Sequence, residues 1–232
     1  MIVAAATVPG APLLLPGVTG GPVREVEKAR EAMAAAVTVL LDQGVEEIVV
    51  VGGAPATRPY PSDAPGPEHR VAPHPARRPC GGGGSAPGEV LPVSLAVGRS
   101  LLDGCPVPWT LRGVGEGESP DRCRALGREL GAGERPVGLL VVADGSARRN
   151  EKAPGHFDPA SIEIDTRIGT ALGAADAGVL LSLDPAACER VLVAGRAAWQ
   201  VMAAACEGRS WQARVLYEED PFGVAYWVAT WT

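Results

Sequence analysis

The sequence predicts an α/β protein of three layers, α/β/α, with a mostly parallel central sheet and an antiparallel C-terminal hairpin at its edge. Three observations predict it. Short apolar runs at Ile2–Val8, Ile48–Val51 and Val137–Val142 have the unbroken hydrophobicity of strands buried on both faces. Stretches with apolar residues at helical spacing lie between them, as parallel strands require. The last run, Gln212–Tyr217 and Val224–Trp231 around Asp220-Pro221-Phe222-Gly223, is β-rich on both sides of a turn.

The elements follow in order. Pro9-Gly10-Ala11-Pro12 ends the first strand, and a loop runs to Gly21. From Arg24 to Gln43, Val26, Ala29, Met33, Val37, Leu40 and Leu41 form one apolar stripe, and Gly44 is a suitable C-terminal stop. Ile48–Val51 then gives a second strand, ending at Gly52-Gly53, so the opening reads as a βαβ unit with a parallel pair. Residues 54–89 carry nine prolines and the run Gly81–Gly84 and read as an irregular loop. Leaving the carboxyl end of a strand, this loop suits a lid, and a flexible insertion is its plain alternative. Pro92–Leu102 reads as a helix and Trp109–Val114 as a third strand. Gly113-Val114-Gly115-Glu116-Gly117 lacks the spacing of a dinucleotide loop and the lysine of a P-loop, so it reads as a turn. Ser119-Pro120-Asp121 is a helix start, cap and proline together, for a helix to about Leu130. Val137–Val142 is the fourth strand. Helical sequence fills Ala160–Cys206, with breaks near Gly178, at Asp184-Pro185 and at Gly195.

Composition bounds the function. With 232 residues, the chain reads as a single domain, 1–232, with the insertion at 54–89. A net charge of −6 argues against nucleic acid as partner. The apolar N-terminus has no basic leader and is broken by Pro9, Gly10, Pro12 and Pro16, so it reads as strand and loop, not as a signal peptide. No stretch reads as a membrane span. The five cysteines show no Cys-x-x-Cys spacing, which points to reduced thiols and a cytoplasmic location. Cys188, Cys206 and Trp199 lie on helical apolar faces and read as core.

The informative stretch is Val137 to Lys152. An apolar run stops at Asp144, and six of the next eight residues carry charge or hydrogen-bonding side chains. In a parallel sheet this delivers polar groups to the carboxyl edge, where such folds place their sites. Pro9–Pro12, Gly52–Pro55 and Ala194-Gly195-Arg196 should converge there. The candidate ligand-binding residues are Ser146, Arg148, Arg149, Glu151, Lys152 and Arg196, and the arginines could grip a carboxylate or phosphate in bidentate fashion. Internal ion pairs are the alternative: Asp144 with an arginine, and Glu151 with Lys152 or Arg149. Asp144 and His156 are the candidate catalytic groups. Ser146 lacks a nucleophile elbow.

In order and spacing, these pieces resemble the class III extradiol ring-cleavage dioxygenase superfamily, the LigB-like fold that also contains the Memo-like proteins. The residues that carry the resemblance are Pro9-Gly10-Ala11-Pro12-Leu13-Leu14, Val49-Val50-Val51-Gly52-Gly53, Leu91-Pro92-Val93-Ser94-Leu95, Asp144-Gly145-Ser146-Ala147-Arg148-Arg149, Ala194-Gly195-Arg196 and Gly223-Val224-Ala225-Tyr226. The resemblance implies an Fe(II) site of two histidines and a carboxylate, with a further acid/base histidine. It places these histidines after the first strand, after the second strand and after the fourth. This chain has Gly10 and Ala11, then Gly52, Gly53 and Ala54, then Ala147. Where Memo-like relatives have a cysteine before Gly-Arg, it has Ala194. Glycine and alanine give a metal no lone pair, so no metal ligands and no cofactor are expected, Fe(II) included.

The expectation is a LigB-like protein that has lost its iron ligands and binds a small anionic or aromatic molecule without a metal. A homodimer or a partner subunit is the assembly it leaves open. The first rival is an active dioxygenase or other metalloenzyme with ligands relocated to His156 and the loop residues His69 and His74. The second is a structural or interaction protein.

Overall fold

The computed structural model describes residues 1–67 and 90–232. Its centre is a seven-stranded sheet built from β1 (Ile2–Val8), β2 (Glu47–Ala54), β3 (Arg58–Tyr60), β4 (Trp109–Gly115), β5 (Val137–Val142), β6 (Ala213–Glu219) and β7 (Tyr226–Trp231), in the order β3-β4-β2-β5-β1-β7-β6. The central four, β4-β2-β5-β1, pair in parallel. β7 pairs antiparallel with β1, and β6 closes that edge as the expected hairpin. Two expectations change. β1 and β2 are parallel but not neighbours, because β5 lies between them and bonds to both. Residues 54–67 are not wholly irregular, because β3 pairs antiparallel with β4. The remainder of the proline- and glycine-rich stretch, with His69, His74 and Cys80, lies outside the described residues.

Two helices, α1 (Arg24–Asp42) and α2 (Val93–Leu101), cover one face of the sheet. The other face carries α3 (Pro120–Gly131), α4 (Ala160–Ala174), α5 (Ala177–Leu181), α6 (Pro185–Arg190) and α7 (Arg196–Ala205). The period-two alternation of strand side chains assigns each residue to one core. Leu139 and Val141 of β5 face the second group of helices, and Leu140 and Val142 face α1 and α2. The caps follow the sequence: Ser119 Oγ accepts from Arg122 N at 3.3 Å, and Asp184 Oδ1 from Ala187 N at 2.7 Å. The expected break near Gly178 falls earlier, at Ala175, which takes a left-handed φ of 51°, and Asp176 then caps α5. α7 is buried from Arg196 to Ala204. Its Trp199 packs edge-on against Trp227 at 5.9 Å and donates Nε1–H to Thr7 Oγ1 at 2.9 Å. Among the described residues, no helix is long and apolar enough to cross a membrane.

Candidate functional site

The parallel strands all deliver their carboxyl ends to one side. There, after β1, β2 and β5, the chain leaves the sheet and encloses a cleft of about 970 Å³, within the usual range of small-molecule sites. The expected convergence is present: Gly10–Leu13, Gly53–Pro55, Ala143–Gly145 and Ala194 all line it. Pro92, Val93 and Ser94 at the start of α2 add one wall, Glu116 and Gly117 the rim, and Phe222, Val224 and Tyr226 a third side.

The loop after β5 is fastened at each step. Ala143 N donates to Val8 O at 2.9 Å, and Asp144 O accepts from Gly195 N at 2.8 Å. Gly145 N and Ala225 O form the link to the start of β7 at 2.9 Å. Ser146 is fully buried: its N–H goes to Asp165 Oδ1 at 3.0 Å and its hydroxyl to Val191 O. Sequence reasoning missed Asp165. It occupies the inward stripe of α4 with Ser161, Ile168 and Leu172, and a carboxylate on a buried stripe was the signal that could have found it.

Asp144 is the candidate residue that the structure places in the cleft. Its Oδ1 accepts the Gly10 N–H at 2.8 Å, so the expected arginine partner is replaced by a backbone amide. Burial pushes its carboxyl up to about 6, and the Gly10 hydrogen bond only partly opposes this. Tyr226 faces the same space, and its phenol is pushed up by burial first and by the Asp144 charge second.

The other candidates lie elsewhere. Ser146 is sealed behind the cleft wall. Arg148 is half-buried, and its Nε has no hydrogen-bond partner among the described residues. Arg149 pairs with Asp220 at 3.0 Å and lies 3.7 Å from Asp165. Glu151 and Lys152 are exposed beside a separate depression with Asn150, Pro221 and Phe222. Arg196 is 3% exposed and donates to Gln200 Oε1 at 2.8 Å and to Glu116 O at 2.6 Å. His156 is exposed, has a φ of 57°, and is not among the lining residues. The anion-gripping arrangement is therefore corrected: each arginine is absent from the lining, and Arg149 and Arg196 are held by internal partners. An ion pair does fasten the loop, but it joins Arg149 to Asp220 and Asp165.

An Fe(II) site of two histidines and a carboxylate does not fit the described residues of this cleft. The donors on its lining are Asp144, Glu116, the Ser94 hydroxyl and the Tyr226 phenol, with no imidazole. At Gly52 even a Cβ would lie 2.7 Å from Ser94 Oγ and 2.9 Å from Ser94 Cβ, so Ser94 fills the space a side chain would need. That serine is locked there by donating to Gly53 O at 2.6 Å. A Cβ at Gly10 would meet Val142 Cγ1 at 2.9 Å. Among the described residues, no three His, Cys, Asp or Glu side chains are grouped to hold a metal ion.

No family model matches the chain, and no curated protein matches it. Among solved structures, it is similar to the uncharacterized protein JW3007 from Escherichia coli K12, with a TM-score of 0.53 and 14% sequence identity over 99% of each chain. At that identity the likeness carries the fold: a mixed α/β architecture, shared end to end.

Proposed function

We propose that this chain is a LigB-like protein that binds a small apolar or aromatic molecule at the carboxyl edge of its sheet, without the iron set of the extradiol dioxygenases. One observation carries the reading. Gly10, Ala11, Gly53, Ala54, Ala147 and Ala194, positions where the resemblance calls for metal, acid/base or cysteine side chains, line one cleft together with Asp144. The place of a site is kept while its ligating side chains are replaced by groups without lone pairs. A cleft of this size with apolar walls and a few polar groups supports small-molecule binding over a purely structural role. The reading carries a cytoplasmic location with it, in keeping with free thiols at Cys105, Cys123, Cys188 and Cys206.

The test is an NMR titration of the isotope-labelled protein with 2-phenylethanol and with catechol. Ala194 is exposed and lines the cleft, so Ala194→Trp adds bulk to the cavity without entering the core. Saturable shifts at Gly10, Gly53 and Gly145 are expected, and Ala194→Trp should abolish them while leaving the melting temperature unchanged. Absence of shifts, or shifts that survive Ala194→Trp, would overturn the proposal.

A further inference from the structure

Resting on the reading that the cleft binds a small molecule, we infer that its ligand is a cation: a small apolar or aromatic amine whose protonated nitrogen sits on Asp144.

The charge pattern is one-sided. The charged residues on the described lining are Asp144 and Glu116, and neither Lys, Arg nor His is among them. Asp144 uses one oxygen, Oδ1, for Gly10 N–H, and no described residue donates to Oδ2. The groups that face Asp144 from the elements around it do not neutralise it. Gly10 follows β1 and offers one amide; Tyr226 on β7 is a neutral phenol; Glu116 at the rim has the same sign.

Among the described residues, Arg148 is absent from the lining, and Arg149 and Arg196 are committed elsewhere. Arg149 is turned to Asp220 and Asp165 on the far side of the loop. Arg196 lies behind the rim, held by Gln200 and Glu116 O, and the carboxylate that feels its charge is Glu118. Among the described residues, Asp144 is thus a half-buried carboxylate with a single neutral donor, whereas the buried Asp165 has an arginine beside it. A buried charge without a countercharge is costly, and a cation supplied by a ligand removes that cost.

The remaining walls fit the other half of such a ligand. Leu13, Val93, Val142, Leu192 and Phe222 offer apolar surface, and the Tyr226 ring adds an aromatic face next to the carboxylate. An ammonium gains from both a carboxylate and a ring face. A carboxylate or phosphate ligand would meet Asp144 and Glu116 and be repelled.

Three probes on one carbon skeleton separate the charge preference from binding itself: 2-phenylethylamine, 2-phenylethanol and phenylacetate, titrated by NMR at pH 8 into the wild-type protein and Asp144→Asn. The amine is expected to bind at least about tenfold more tightly than the alcohol, the gain from a charge-assisted hydrogen bond, with phenylacetate weakest. Asp144→Asn should bring the amine down to the alcohol's affinity. An amine no tighter than the alcohol, an advantage that survives Asp144→Asn, or tightest binding of phenylacetate overturns the inference. If the alcohol still binds and Ala194→Trp still blocks it, the cleft reading stands and only the cation falls. If neither these three nor catechol binds, both fall.

Discussion

Asp144 is held in its ionised form at a cost to the fold. Its carboxyl is raised from 3.8 to about 6 by burial against the cleft wall. A carboxylate raised in the folded state contributes its full stability below the unfolded value, near pH 4. That contribution is lost as pH rises through about 6, because the unfolded chain ionises more readily. At pH 8 the ionised form therefore costs stability, by at most about 3 kcal/mol and less with its partial solvent access. Asparagine keeps an oxygen for Gly10 N–H and removes the charge. Asp144→Asn should stabilise the protein by about 1–2 kcal/mol at pH 8 and give no gain near pH 4, read by urea unfolding at both pH values. A gain that does not change with pH would contradict this account of Asp144. Asp165 is raised to about 6 in the same sense but has Arg149 beside it, so the difference between variant and wild type isolates Asp144. Residues kept against stability mark functional sites. The position of Asp144 at the carboxyl edge was legible in the sequence because an apolar run stops there. The arginines were misread because a loop side chain points to whichever partner the fold brings near. Asp220 lies 71 residues beyond Arg149, and Glu116 lies 80 residues before Arg196.

At the scale of elements, strands with unbroken apolar runs and helices with clean caps were legible because their signals are local. β3 was hidden because it is three residues long, contains Pro59 and lies inside a proline-rich stretch. The insertion of β5 between β1 and β2 was also hidden, since strand order is a non-local property that periodicity does not encode. Close helix packing was equally invisible. α3 meets α7 at Gly127, where a Cβ would lie 2.4 Å from Val201 O and 2.6 Å from Ala204 Cβ. Backbone on one side and a methyl on the other leave no flexible group to yield. Gly127→Ala should therefore destabilise the protein by about 1–3 kcal/mol or more despite alanine's better helix propensity. Gly20→Ala, with nothing within 4 Å of the added Cβ, should be neutral or slightly stabilising, and denaturant midpoints of the two variants check the contrast. The same geometry acts at Gly52, where Ser94 of α2 occupies the space a side chain would need.

At the scale of the whole molecule, a sheet covered by helices on both faces leaves its carboxyl edge as the open place for a ligand. The fold supplies the cleft, and the residues at the strand ends determine what chemistry it supports. Here those ends offer glycine and alanine, Ser94 packed over Gly52, and the Asp144 carboxylate with no Lys, Arg or His on the described lining. The general convergence of strand ends could be read from the sequence. The closure of the Gly52 space and the one-sided charge could not, because both depend on residues distant in the chain meeting at one edge. The proposed binding at this cleft requires no metal. The most direct test is anaerobic incubation of the full chain with excess Fe(II), followed by desalting and elemental analysis. Well below about 0.1 equivalent of retained iron is expected, since glycine and alanine supply no ligand atoms. Retention near one equivalent of iron, reduced by Asp144→Asn and accompanied by catechol-dependent oxygen uptake, would contradict it.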